Sequence, residues 1–291
     1  MSPSLRTRFS AAAILLVALL AWPVSGAPPA PPAPFPVGER LVYTVKWDPP
    51  WYLFFLPSMT AGEMVLELRR GETFLGQEAL QVRLDARSSG TLARLAGMEV
   101  EDSFRFYSEP ERLCALGSRS RTREGKRLRS LELDYLRDSG RLRFRETDEA
   151  VDPPEVKKDE IKEGIPACVH DPFSALYAFR ASPLSSASSR TFVIGHNDRI
   201  KEVRVQARKL ESIETPAGRF KAWKVDTEAM MGGLFKDGGE FNVWLTEDGD
   251  RIPVQFEARV KLGKVRGKLD SRAFPEEPRN GDSGEARRSR P

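Results

Sequence analysis

The sequence predicts a mainly β protein: a strongly curved antiparallel sheet or a β-barrel with one short helix, a two-sheet sandwich being the alternative. Three observations carry this. Apolar and polar residues alternate with period two in about a dozen separate stretches, as on a pleated strand with one buried face. Gly, Asp and Ser recur between those stretches at meander spacing. Only one segment carries both start and stop signals of a helix. The clearest stretch is residues 240–260, where Phe241, Val243 and Leu245 lead into Asp248-Gly249 and then Val254, Phe256, Ala258 and Val260. Glycine at the reversal accepts positive φ without a Cβ clash. A long sheet would leave edges open, and closure into a barrel would remove them.

In chain order, residues 1–26 read as a secretory signal peptide. Arg6 and Arg8 precede an apolar run over residues 11–22, and small residues follow up to a preferred cut after Gly26. The run is too short for a membrane span. No cysteine follows it, so a lipidated terminus is not supported. Residues 27–36 are Pro/Ala-rich and read as an extended tether. Residues 37–274 are expected to form a single β-rich domain, since no Pro/Gly/Ser-rich linker divides them and no repeat is visible. Residues 275–291 read as a disordered charged tail.

Leu41, Tyr43, Val45 and Trp47 mark the first strand, which Pro49-Pro50 stops. Residues 51–56, Trp-Tyr-Leu-Phe-Phe-Leu, have neither alternation nor charge and are fenced by prolines. They should plug one end of the core or form an apolar lip. Met64, Leu66 and Leu68 mark the second strand, Leu80, Val82 and Leu84 the third, and Phe104 with Phe106 the fourth. Residues 91–96 offer one helical turn. Strands are expected over residues 113–121, 128–135 and 141–145, with a turn at Asp138-Ser139-Gly140. A polar connection fills the space from Asp152-Pro153-Pro154 to Gly164-Ile165-Pro166. The helix follows, with Asp171 as N-cap and Pro172 at its first position. Phe173, Leu176, Tyr177 and Arg180 are expected on one stripe, and Ser182-Pro183 ends it. Strands resume at 191–194, 202–213 and 220–227. A second apolar loop spans residues 230–235, the 240–260 hairpin comes next, and residues 265–269 close the sheet.

Charge narrows the partners. Losing Arg6 and Arg8 with the signal lowers the formal charge from +4 to +2. Basic residues mostly alternate with acidic ones, which describes a solvated strand face and not a nucleic-acid groove. The one lopsided segment, Arg119 to Arg129, reads as a charged hairpin or, less simply, as a contact for anionic headgroups. Cys114 and Cys168 are the only cysteines. Export permits a disulfide between them, tying a strand to the start of the helix, while two buried thiols are the alternative. With His170 and His196 they lack the local ligand spacing of a zinc site. No metal or cofactor is expected. The Asp248/Asp250 pair lacks EF-hand spacing.

Several pieces in order form a recognisable set: Gly38-Glu39-Arg40-Leu41-Val42-Tyr43, Ala61-Gly62, and residues 171–180 from Asp171 to Arg180. Glu214-Thr215-Pro216-Ala217-Gly218, Gly232-Gly233-Leu234-Phe235, residues 243–248 and Arg251-Ile252-Pro253 complete it. Their order resembles the bacterial envelope family catalogued as domain of unknown function 3108. The resemblance implies an exported β-rich protein and transfers no catalytic residue. A more distant likeness to β proteins that shelter acyl chains is fold-level analogy.

The resulting expectation is a non-catalytic periplasmic envelope protein that binds a lipid, an acyl chain or an envelope partner. Its contact residues would be Trp51, Phe54, Phe55, Met231, Leu234 and Phe235, since aromatics and methionine make an adaptable apolar surface. A structural or assembly factor gripping another envelope protein is the first alternative, and a hydrolase using His170 and Asp171 the second. No Gly-x-Ser-x-Gly, P-loop or His-Glu-x-x-His motif is present. Trp244 is expected either as a ligand wall or as core.

Overall fold

The computed structural model describes residues 38–53, 55–89, 99–227, 241–260 and 263–273. Their fourteen strands are β1 (Arg40–Asp48), β2 (Met59–Phe74), β3 (Gln77–Ser88), β4 (Val100–Ser108), β5 (Ala115–Glu124), β6 (Arg127–Leu136) and β7 (Arg141–Asp148), followed by β8 (Glu155–Glu163), β9 (Ser189–His196), β10 (Arg199–Thr215), β11 (Gly218–Thr227), β12 (Phe241–Thr246), β13 (Pro253–Arg259) and β14 (Lys264–Ala273). All belong to one antiparallel sheet in the order β8-β7-β6-β5-β4-β3-β2-β1-β14-β13-β12-β11-β10-β9. The first and last strands pair, so β14 lies mid-sheet instead of closing it. The edges are β8 and β9.

One face of this sheet is mostly apolar from β7 round to β9, because register keeps the alternation in phase from strand to strand. Leu41 pairs with Leu66, Leu66 with Leu84, and Val82 with Phe106. On the other side Tyr43 pairs with Leu269, Val243 with Phe256, and Val225 with Val243. These residues form one core with the helix. The opposite face is charged: Asp85 takes Arg83 and Arg105, and Glu257 takes Lys264 and Arg266. Apolar inside and charged outside is the reverse of a membrane-spanning barrel. No helix among the described residues is long and apolar enough to cross a membrane.

The sheet does not close edge to edge; it rolls past itself. Strand β9 has apolar residues on both faces. Phe192 and Ile194 join the main core. Val193 packs with Leu133, Tyr135 and Phe144 of β6 and β7 in a second core. Thus β6 and β7 lie over the outside of β9. Gly195 makes this approach possible, since a Cβ there would come within 2.0 Å of the Tyr135 hydroxyl. A short bridge spans the seam: Ala115 N donates to Val169 O, and His170 N donates to Val193 O. Lys162 of β8 pairs with Asp198 in the β9–β10 turn.

Strand β8 occupies what the sequence suggests is a polar connection. Its residues, Glu-Val-Lys-Lys-Asp-Glu-Ile-Lys-Glu, are nearly all exposed. An edge strand with neither face buried shows no period-two signal, and its charges discourage further pairing. Strand β5 starts at Ala115, two residues later than expected, because Leu113 has φ 59°. A leucine in the left-handed region interrupts pleating. The expected helical turn at 91–96 lies outside the described residues. Residues 51–53 form a single 3-10 turn.

The helix α1 (Pro172–Arg180) starts as expected. The Asp171 carboxylate accepts from the backbone of Phe173 and Ser174, and the Ser174 hydroxyl accepts from Asp171 N, a reciprocal cap. Burial is not confined to the expected stripe. Ala175, Tyr177, Ala178, Phe179 and Arg180 are all buried, so the helix sits inside the roll and is covered all round. A helix enclosed on every side has no polar face to reveal its orientation.

Candidate functional site: an apolar cavity at one end of the roll

The two ends of the roll differ. At one end a buried ion pair fills the interior. Glu39 and Arg180 are both 0% exposed, and Arg180 donates through Nη1 and Nη2 to the two Glu39 carboxylate oxygens at 2.9 and 3.0 Å. Tyr177 OH donates to Glu39 at 3.3 Å, and Arg180 Nη2 also donates to Asp250 O. Burial pushes the Tyr177 hydroxyl well above its usual range. These groups join the start of β1, the end of α1 and the β12–β13 turn. No local sequence pattern links positions so distant, and this cluster was not foreseen.

Toward the other end lies a cavity of about 380 Å³, within the range of about 300–1,000 Å³ usual for small-molecule sites. Its walls include Met64, Ala86, Phe104, Phe256 and Val265, and α1 forms its floor with Phe173 and Leu176. These two helix residues are the less buried ones of α1, because they face the cavity. Gly62, Ser88, Val100 and Val260 place the cavity beside the strand ends that carry the β1–β2, β3–β4 and β13–β14 connections. The β11–β12 connection leaves from this end too, between Thr227 and Phe241.

Polar residues also line these walls, among them Ser88, Asp102 and His196, while the lining residues Glu63 and Arg87 pair in register on the alternate, outward phase of β2 and β3. The Ser88 hydroxyl accepts from Val100 N at 2.8 Å. Burial lowers the His196 pKa and favours its neutral form. Burial raises the Asp102 carboxyl to about 6, against the lowering effect of a hydrogen bond from Arg123 N. Asp102 sits at an apolar position of the Val100-Asp102-Phe104-Phe106 alternation. A charge in the buried phase of a strand is a readable signal that the sequence reading passed over.

The expected contact residues divide. Trp51 and Phe55 are 86% and 68% exposed in the β1–β2 connection at the cavity end. The Trp51 and Tyr52 rings meet edge to face at 5.9 Å. Phe54, Met231, Leu234 and Phe235 lie outside the described residues. Cys114 and Cys168 form a disulfide with Cα atoms 5.1 Å apart, tying the entry of β5 to the approach of α1. Trp244 lines no part of the cavity. It is buried, and its Nε1 donates to Glu211 at 2.6 Å. The basic hairpin is an ordinary charged one: Arg119, Arg121 and Arg129 pair with Asp134, Glu149 and Glu146.

His170 and Asp171 serve the fold. His170 Nδ1 lies 2.9 Å from Leu113 O, and since a carbonyl only accepts, Nδ1 carries the proton. Burial lowers the pKa of this imidazole. The bond holds Leu113 in its left-handed conformation, while Asp171 caps the helix. His170→Ala should therefore lose about 1–3 kcal/mol of stability through the orphaned Leu113 carbonyl. Denaturant unfolding would show it, and an unchanged midpoint would remove the structural assignment. Asp248 is likewise occupied in its turn, accepting from Thr246 Oγ1 and from the backbone of Asp250 and Arg251. Among the described residues no group of three or more side chains is placed to hold a metal ion.

A rolled antiparallel sheet with an internal helix and an apolar hollow defines a β-barrel-like protein. The chain belongs to the family described as Protein of unknown function (DUF3108), whose model matches residues 42–270. No curated protein matches it. Among solved structures it is similar to the β-barrel-like protein of domain of unknown function DUF1849 from Brucella abortus. That match has 12% identity and a TM-score of 0.54, and covers 82% of this chain and 98% of that one. A Bacteroides fragilis protein with a YmcC-like fold is also similar, at 12% identity over 82% of this chain and 98% of that one, with a TM-score of 0.31. The first supports the fold alone, and the second superposes too loosely to carry an argument.

Proposed function

We propose that the protein is a non-catalytic envelope protein that shelters an apolar chain, such as a lipid acyl group, in the cavity. The observation that carries this reading is the cavity itself. A core of this kind normally packs to about the density of organic crystals, yet here a hollow remains beside α1 and its walls are almost wholly apolar. A periplasmic location after signal cleavage fits the sequence of residues 1–26. The Cys114–Cys168 disulfide supports it, because such bonds persist in oxidising compartments.

Trp51 and Phe55 fit a lip through which the ligand or a membrane surface is approached. Phe55→Ala should change stability by no more than about 0.5 kcal/mol, as an exposed residue does, while weakening co-sedimentation with vesicles. A large loss of stability would make Phe55 core and end its role as lip. The reading as a whole is tested by organic extraction and mass spectrometry of protein purified from its native compartment. A stoichiometric amphiphile is expected. A ligand-free preparation that also takes up no lipid from vesicles would overturn it. Assembly by strand addition is the less favoured reading, since seven of the nine residues of the open edge β8, Glu155–Glu163, are charged and blunt it.

A further inference from the structure

Asp102 occupies an inward position of β4, opposite Ala86 of β3 and Thr122 of β5. Its side chain lines the apolar cavity. One carboxylate oxygen accepts from Arg123 N at 3.1 Å. Among the described residues no side-chain donor reaches this carboxylate. The nearby cations point elsewhere: Arg87 pairs with Glu101, and Arg105 with Asp85, both on the outward face. A half-buried carboxylate on an apolar wall would gain from a donor brought by the ligand and would repel a second carboxylate.

We propose that the cavity selects a single-chain amphiphile whose polar end carries a hydrogen-bond donor, an amine or a hydroxyl, held at Asp102, over a fatty-acid carboxylate. This rests on the apolar-chain reading above and names the headgroup that reading leaves open. The alkyl chain occupies the space between Met64, Phe256 and the α1 floor. The donor sits toward the β3–β4 side, where the Ser88 hydroxyl also lies.

The preference should depend on pH. Two groups bear on Asp102, Arg123 through its backbone N–H and the Glu124 carboxylate, while His196 lines the β9 wall of the same cavity. Burial is the largest influence and Glu124 adds to it, and together they raise the carboxyl to about 6. Above that pH the carboxylate is ionised and holds an ammonium group. As pH falls through it the carboxyl becomes neutral, and the amine's advantage fades.

The test is a titration of the full protein with dodecylamine, dodecanol and dodecanoate, each below its aggregation limit, at slightly alkaline and at mildly acidic pH. At alkaline pH the amine should bind about tenfold more tightly than the carboxylate, a ratio that one charge-assisted contact readily supplies. The ratio should shrink in acid, and Asp102→Asn should bring it near one without abolishing binding. Equal affinity for all three probes, or tighter binding of dodecanoate, would overturn the headgroup assignment and leave the apolar-chain reading standing. Binding of none would overturn that reading itself. Should Asp102→Asn fail to fold, the headgroup ratio and its pH dependence in the native protein decide the matter.

Discussion

Glu39→Ala is expected to destabilise the protein by about 3–5 kcal/mol, a large fraction of ordinary domain stability. The substitution leaves the Arg180 guanidinium, which is wholly buried, without its bidentate partner. The carbonyl of Asp250 would still accept from Arg180, but it carries no full charge. Arg40→Ala is the control, because the Arg40–Glu67 pair lies on the outward face with the arginine 45% exposed. That change should fall within about 1 kcal/mol. Glu39→Gln combined with Arg180→Met should cost less than the two single changes summed, since removing both charges leaves neither orphaned. Denaturant unfolding of these five variants would check this. Equal effects for Glu39→Ala and Arg40→Ala would show that the buried pair does not hold the closed end.

The second large effect concerns the disulfide. Replacing Cys114 and Cys168 with alanine should lose about 2–4 kcal/mol. The bond closes a loop of sequence separation 54. The physical reason is local as well as entropic. Cys114 follows Leu113, whose left-handed backbone ends the approach to β5, and Cys168 precedes the Val169–His170 bridge across the seam. Cutting the tie frees the segment that joins β5 to β9. Thermal unfolding with and without reductant should give a lower midpoint for the reduced protein, and the double alanine variant should match it. Identical midpoints would mean that the seam holds without the bond.

The strands facing the core were legible because their two faces differ. Met64, Leu66 and Leu68 announced β2, where they alternate with the charged Glu63, Glu67 and Arg69, and Phe241, Val243 and Leu245 announced β12 by alternating with Asn242, Trp244 and Thr246, although both faces of that strand are buried. The helix cap was legible because Asp171-Pro172 is a local signal. Strand β8 was not, as both its faces meet solvent. The rolling of the sheet was not, because it depends on β9 being apolar on both faces and on Gly195 lying against Tyr135, which are contacts between distant segments. The apolar run over residues 51–56 stood out in the sequence, while the cavity had no marker except Asp102 in an otherwise apolar phase. The Glu39–Arg180 pair had no local signature at all.

The measurement that bears most directly on the account is a binding titration with an apolar fluorescent probe, comparing the native protein with Ala86→Phe. Ala86 lies on the inward face of β3 beside the hollow, opposite Met64 and Asp102. A phenyl ring there would occupy space that the protein leaves open. In a filled core such enlargement costs about 1–3 kcal/mol; beside a hollow of about 380 Å³ it should cost less. The account predicts saturable binding by the native protein and loss of at least about 90% of the affinity in Ala86→Phe, a change of about 1.4 kcal/mol, with the unfolding midpoint preserved. Unaltered binding in a folded Ala86→Phe protein would contradict the claim that the cavity is where the apolar chain resides.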